Sequence, residues 1–355
     1  MSFSLRALRM ADRLPWRIAR IVRRIYPPRT GYYCAVLNTD PAIVLIPEDF
    51  YDAAEIWKPF FDALARKRVY FLCWVSWDMD RDVKGFKEWF PKIMAEHRAR
   101  YPRHEFIYLA NSLNQCRVFQ EMNFRAIFVN HNALVDERIF TVLDGCPKKY
   151  DAIYNAALAP YKQHQLAAAI SSLALITYFK GEHPKYCDDI AAALKHAAWL
   201  NFESGELDRA QYKPIPKANV HQWLNQAKVG LCLSESEGAM FASMEYLLCG
   251  LPIVSTPSLG GRDVFFDEEY VRIVEATREA VNEGVHDIVQ RHISPFYVRQ
   301  KTLAKVAEHR ARLVELVVEI SASEGKSISG EDTHQRLFSE DILQMRELHR
   351  LAAVL

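Results

Sequence analysis

Two glutamates, Glu237 and Glu245, stand eight residues apart in the stretch SESEGAMFASMEYLLCG, which runs from Ser234 to Gly250. The residues after Glu237 (Gly238, Ala239, Met240 and Phe241) are small or apolar, so nothing polar obstructs an approach to the backbone there. From Gly238 the pattern is helical: Phe241, Met244, Tyr246, Leu247 and Leu248 are apolar, and Gly250 with Pro252 supplies a stop. A helix start offers unpaired N–H donors and the positive end of the dipole, a setting that favours phosphate. Over eight helical residues the chain rises about 12 Å and turns roughly 80° beyond two full turns. Carboxylates so placed are too far apart to share one metal ion or one proton. They suit the two ends of an elongated ligand with an anionic middle, because carboxylates accept hydrogen bonds from vicinal hydroxyls. A sugar nucleotide has that form, with a sugar, a diphosphate and a ribose in line.

Such a site needs strands to carry its loops. The glutamate stretch follows an apolar run, Val229–Leu233, that reads as a strand. Before it, short β-rich runs alternate with helical patterns. The first series is Tyr33–Leu37 or Ala42–Ile46, then Val69–Trp77, Glu105–Ala110 and Ala126–Asn130, with helices expected over Tyr51–Arg66 and Gly85–Arg98. Residues 141–149, with Gly145, Pro147 and two lysines, read as a linker. The second series is Ala152–Asn155, Ala174–Tyr178, Trp199–Phe202, Val229–Leu233, Pro252–Ser255 and Val271–Val274, followed by a helical tail from Ala276 with a polar break around Ser321–Asp332. Strands alternating with helices imply parallel sheets covered on both faces. Two series imply an α/β protein of two doubly wound, Rossmann-like domains, whose ligands sit beyond the carboxyl ends of the strands.

A chain of 355 residues, half of them hydrophobic, has enough material for two such cores. Its formal net charge of +1 argues against a nucleic-acid polycation and against an acidic disordered chain. The charge is uneven, however. Residues 1–30 carry eight arginines and one aspartate, a net charge of +7, and the remainder is net −6. In this arm Leu14, Ile18, Ile21, Val22 and Ile25 follow helical spacing beside a stripe of Arg13, Arg17, Arg20 and Arg24, and Pro27-Pro28 ends the segment. A basic amphipathic helix over residues 1–27 fits an anionic membrane surface; a solvated arm, a helix packed on its own domain and a transit peptide are the alternatives. Seven scattered cysteines without a CxxC pair read as buried thiols in a reducing, cytoplasmic setting. No apolar run reaches the roughly 18 residues that span a bilayer.

The stretch from Glu237 onward resembles the C-terminal signature of GT-B glycosyltransferases of the retaining family 4 type, in which E-x7-E follows a strand and precedes a G-x-P-V-V strand. CGLPIVST (Cys249–Thr256) fits that second strand, and Gly260-Gly261 fits the loop after it. NHNALVDERIF (Asn130–Phe140) looks like the crossing between the two domains, and YNAALAPYKQH (Tyr154–His164) like the phosphate loop after the first strand of the second. The resemblance implies that Glu237 holds donor-sugar hydroxyls and Glu245 the ribose. It places the backbone of Gly238–Phe241 against sugar and diphosphate, and Val220, in the loop before the preceding helix, near the base. It makes Lys162 the cation on the departing diphosphate. The family's arginine, five residues earlier, is Ala157 here, and Gln163 stands where a glycine is usual. Losing one charge-assisted phosphate contact weakens leaving-group stabilisation by roughly 2–4 kcal/mol unless another cation, such as Arg262 or Lys213, reaches in.

The expectation is therefore a metal-independent, retaining transferase with no cofactor. It moves a sugar from a nucleotide-diphosphate donor to a glycan or lipid-linked acceptor, in polysaccharide or glycolipid synthesis at the inner face of a membrane. The expected division is an arm at 1–30, an acceptor-side domain at 31–142, a nucleotide-sugar domain at 143–335 and a terminal helix at 336–355. Two alternatives stand beside it. Ala157 suits a non-catalytic subunit or glycan-binding partner that kept the fold. Asp78-Met79-Asp80, closing an apolar strand, suits the DxD metal site of a GT-A transferase. His131 and His164 fall near the expected cleft, where a histidine hydrogen-bonded within a loop is the common case.

Overall fold

The computed structural model describes residues 33–51, 54–76, 78–79, 82–180, 183–339, 342–348 and 351. The basic arm and Asp80 lie outside the described residues.

Two six-stranded sheets organise the chain. In the first, β1 (Tyr33–Thr39) and β2 (Ala42–Pro47) form an antiparallel hairpin. Both candidate first strands thus exist, joined by a turn at Asp40-Pro41 too short for a parallel crossover. From β2 the sheet runs parallel through β3 (Val69–Trp74), β4 (His104–Ala110) and β5 (Arg125–Phe128). Helices α1 (Ala54–Leu64), α2 (Val83–Arg100) and α3 (Leu113–Glu121) follow β2, β3 and β4. Asp82 and Ser112 start α2 and α3 by accepting from the backbone N–H of Gly85 and Gln115. These helices cover one sheet face, where Trp57, Phe61, Phe90 and Phe119 pack on Val44, Phe71, Cys73 and Tyr108.

The other face takes Leu37, Ile43, Leu45, Leu72 and Leu109, the alternate residues of the same strands. Its cover comes from the far end of the chain. Helix α8 (Pro295–Ser323) buries Leu313, Leu316, Val317 and Ile320 there, and α9 (Gly330–Phe338) adds Leu337 and Phe338. The segment expected as a terminal helix from residue 336 departs from that expectation. Among the described residues the last α-helix ends at Phe338, and β14 (Arg346–Glu347) then pairs antiparallel with β1. An edge strand with unpaired backbone groups is satisfied by adding a strand, and a helix there could not make those bonds.

The second sheet is parallel throughout, in the order β13-β11-β9-β6-β7-β8. The chain enters at β6 (Tyr150–Leu158), steps outward to β7 (Leu173–Phe179) and β8 (Ala198–Trp199), then crosses α5 (Lys217–Asn225) to β9 (Ala227–Cys232) on the other side of β6. From there it continues to β11 (Ile253–Ser255) and β13 (Val271–Ile273). The strand order reverses between β6 and β9, which opens a crevice at their carboxyl ends. Asn225, the last residue of α5, pins the 141–149 linker to this domain, accepting from the N–H of Leu143 at 2.8 Å and donating to the carbonyl of Thr141 at 2.9 Å. Two arginines of α8 hold the crossing segment. Arg310 pairs with both carboxylate oxygens of Glu137, and Arg299 donates to the carbonyls of Glu137, Phe140 and Leu248. None of the seven cysteines forms a disulfide. Among the described residues no helix is long and apolar enough to cross a membrane.

Candidate functional site

The crevice at the end of β6 and β9 collects the polar residues singled out by spacing. After β6 the chain makes a tight turn through Pro160–Lys162, and Gln163 takes the left-handed conformation (φ 51°) that a glycine adopts without strain. The hydroxyl of Tyr154 donates to the carbonyl of Lys162 at 2.7 Å, which ties the turn to the strand beneath it. Lys162 is buried, and its ammonium pairs directly with the carboxylate of Glu237. A buried ammonium is costly unless it is paired, and this pair satisfies it.

Glu237 reaches that position through a second, two-residue sheet. Strand β10 (Ser236–Glu237) pairs in parallel with β12 (Leu259–Gly260), so the loops after β9 and β11 are laced together. The N–H of Gly261 donates to the carbonyls of Glu237 and Gly238. Gly260 has φ +93°, and a Cβ there would lie 1.8 Å from the Glu237 carbonyl oxygen. Below the loops lies Arg262, fully buried, donating to the carbonyls of Cys232 (3.2 Å), Ser234 (2.9 Å) and Thr256 (2.6 Å) and pairing with Asp263 at 2.6 Å. Arg262 is thus a brace under the site and does not reach into it. Lys213 pairs with Glu203 at an exposed position.

Helix α6 (Phe241–Leu248) carries Glu245. It begins three residues later than the pattern suggests, because Gly238 and Ala239 belong to the laced loop. Glu237 and Glu245 therefore do not share a helix. They are brought together by β6, since Lys162 beyond that strand meets Glu237 and Asn155 within it donates to Glu245 at 2.9 Å. No side chain caps the start of α6. The helix sits flush on the sheet because Gly230 of β9 leaves room for the Tyr246 ring, which would lie 2.4 Å from a Cβ at that position. The Tyr246 hydroxyl oxygen in turn accepts from the Asn155 N–H at 2.6 Å.

Burial pushes the Glu245 carboxyl up to about 7, with Lys217 and the Asn155 amide opposing the rise. Between about pH 4.5, the unfolded value, and pH 7 the folded chain retains a proton that the unfolded chain has released. Its contribution to stability is present below that window and is lost as pH rises through it, by on the order of 3 kcal/mol. Glu245→Gln is expected to flatten this segment of the stability–pH curve, measured by urea unfolding at several pH values. A slope identical to the parent's would show that Glu245 is not the group responsible.

The first domain meets the site through the loop after β3. Asp78, buried, accepts the hydroxyl proton of Ser236, next to Glu237. The turn after β5 completes the contact: Asn130 donates to the carbonyls of Asn111 (2.8 Å) and Gly261 (2.7 Å), and Asn132 reaches Ser243 at 3.4 Å. His131 lies against the carbonyl of Val75 at 3.0 Å and against the half-exposed Phe241 ring, and burial lowers it to about 4. His164 is similarly lowered, to about 3, by burial and by Lys162, and meets the Tyr186 hydroxyl at 3.0 Å. Both are hydrogen-bonded, neutral loop histidines. Among the described residues no three or more His, Cys, Asp or Glu gather so as to hold a metal ion.

Two placements differ from the sequence reading. Val220 lies within α5, not in the loop before it, and its side chain is in the hydrophobic core. Ala157, at the end of β6, is fully buried. An arginine introduced there would have to displace its neighbours before reaching a ligand, and overpacking of that kind costs roughly 1–3 kcal/mol. Arginine at position 157 is therefore not expected to give a simple gain in phosphate binding. Asn155 and Tyr178 were not singled out at all. Asn155 carries a period-2 polar signal inside an apolar strand. Tyr178, 47% exposed at the end of β7, is an ordinary strand residue by sequence.

The same arrangement of two sheets is found in solved glycosyltransferases. A glycosyltransferase from Rickettsia africae matches over 88% of this chain and 81% of its own, at 12% identity and a TM-score of 0.56. Anabaena HepE, in complex with UDP and glucose, matches over 77% of both chains at 13% identity and a TM-score of 0.54. Sucrose-phosphate synthase from Thermosynechococcus elongatus matches over 78% of this chain and 80% of its own, at 11% identity and 0.52. This chain has the GT-B fold. In that fold the crevice between β6 and β9 faces the first domain across the interdomain cleft. No protein-family model matches the sequence, and the comparison with curated proteins gives no match.

Proposed function

We propose that the protein is a glycosyltransferase. It moves a sugar from a nucleotide-diphosphate donor to a glycan or lipid-linked acceptor, with retention at the anomeric carbon and without a divalent cation. The observation that carries this reading is the Lys162–Glu237 pair at the strand-order reversal of a GT-B fold, with Glu245 held nearby by Asn155. In the structure the two charges satisfy one another. A donor exchanges these partners: the Lys162 ammonium takes the diphosphate, and the freed Glu237 carboxylate accepts from sugar hydroxyls. As the sugar–phosphate bond breaks, negative charge grows on the leaving diphosphate, and an ammonium already fixed beside it stabilises that change without reorganisation. Glu245, further along α6, accepts from ribose hydroxyls, and the start of α6 faces the anionic middle.

The solved HepE structure holds UDP and glucose, and that of the pneumococcal O-GlcNAc transferase GtfA holds UDP and GlcNAc, which supports UDP-sugars as the first donors to try. Purified full-length protein incubated with UDP-glucose, UDP-GlcNAc or GDP-mannose is expected to release nucleoside diphosphate at an unchanged rate in EDTA. Loss on chelation, with recovery in Mn²⁺ or Mg²⁺, would transfer the role to a metal site at Asp78 and Asp80. A buried alanine at position 157 favours one second reading, a non-catalytic subunit; it predicts diphosphate binding with no release from any donor.

A further inference from the structure

We propose that Lys180 supplies the second cation of the diphosphate subsite, delivered from the strand beside the one that lacks it. This rests on the donor-site reading above. In the β6–β7 register Ala157 pairs with Tyr178, so their side chains leave the sheet on the same side. Alternation along β7 then carries Lys180, two residues on, back to that side just beyond the strand. The Tyr161 ring marks where it arrives. The Lys162 ammonium lies 5.1 Å from the centroid of that ring and the Lys180 ammonium 5.9 Å from it. Both ammoniums are within the range of cation–π attraction to that ring, so each borders the same turn beyond β6.

Tyr178 lies beside Ala157 in the sheet. Burial raises its hydroxyl, and the charges of Glu237 and Glu245 add to the rise. Arg262 braces backbone carbonyls, Lys213 pairs with Glu203, and Lys217 acts on Glu245. Lys180 is exposed, so its long stem reaches a ligand without repacking the core, which an arginine at position 157 could not do.

The test is calorimetric titration of the full-length protein with UDP, GDP and ADP and with the corresponding nucleosides. The variants are Lys180→Ala, Lys180→Arg and Lys162→Ala. For the diphosphate that binds, Lys180→Ala is expected to weaken affinity about tenfold, the scale of one charged hydrogen bond. It should leave nucleoside affinity unchanged and lessen the salt dependence of diphosphate binding, while Lys180→Arg retains most of the affinity. Unchanged diphosphate affinity in Lys180→Ala with a clear loss in Lys162→Ala would overturn the role of Lys180 and leave the donor site standing. An equal loss for diphosphate and nucleoside would overturn it too, since a charge contact reads only the former. No binding of any diphosphate, or full binding by Lys162→Ala, would overturn the donor-site reading and Lys180 with it.

Discussion

Replacing Glu237 is expected to have the largest effect on catalysis, and the alanine and glutamine variants should fail differently. Glu237→Ala removes both the acceptor for sugar hydroxyls and the partner of Lys162. The side chains of this pair are only 8% and 13% exposed, so the ammonium left behind is largely cut off from water. Breaking a buried pair from one side costs about 3–5 kcal/mol. Transfer should fall by at least about 10²-fold, as when one preorganised transition-state contact is lost. Glu237→Gln keeps shape and an acceptor oxygen while giving up the charge, so it should recover part of the stability and little of the turnover. Urea unfolding and kcat/KM on the same preparations separate the two effects. A Glu237→Gln variant with parental kcat/KM would remove this residue from the donor site.

The second large effect is expected at a residue that touches no ligand. Gly260→Ala would place a Cβ 1.8 Å from the backbone oxygen of Glu237, at a φ of +93° that other residues rarely adopt. The obstacle is backbone, so no side chain can swing aside. The β10–β12 ladder must open, and Glu237 must move with it. Strained backbone of this kind costs about 1–3 kcal/mol. A displacement on the order of 1 Å at a positioned group costs about 10²-fold in rate. Turnover should therefore drop with Glu237 and Lys162 both intact, and diphosphate affinity should weaken much less, because Lys162 is carried by the other loop. Parental turnover in Gly260→Ala would show that the ladder does not position Glu237. An exposed control is Gly205, where nothing lies within 4 Å of an added Cβ; its φ of +72° adds backbone strain but no clash, so its substitution should leave turnover unchanged.

The strand series, the two-sheet architecture and the order of the loops were legible in the sequence because they rest on local regularities. A parallel strand buried on both faces reads as a continuous apolar run, as in VYFLCW of β3 and LALITYF of β7, and each run ends where polar or small residues take over. The positions of Glu237 and Lys162 beyond strand ends follow from the same runs, since the loop after an apolar strand is where polar side chains can gather. Their partners were not legible. That Lys162 meets Glu237 across 75 residues, and that Asn155 meets Glu245 across 90, depends on β6 and β9 being neighbours at the point where the strand order reverses. A strand's own residues carry no mark of which strand lies beside it. Arg262 reads in the sequence as a free cation next to a glycine pair; only the fold surrounds it with carbonyl oxygens and makes it a brace. The second face of the first sheet is the plainest case. Its strands announce that both faces are buried, but the cover for one of them comes from α8 and α9 at the far end of the chain. Hydrophobic burial requires that some apolar surface be there, and it is indifferent to which segment provides it.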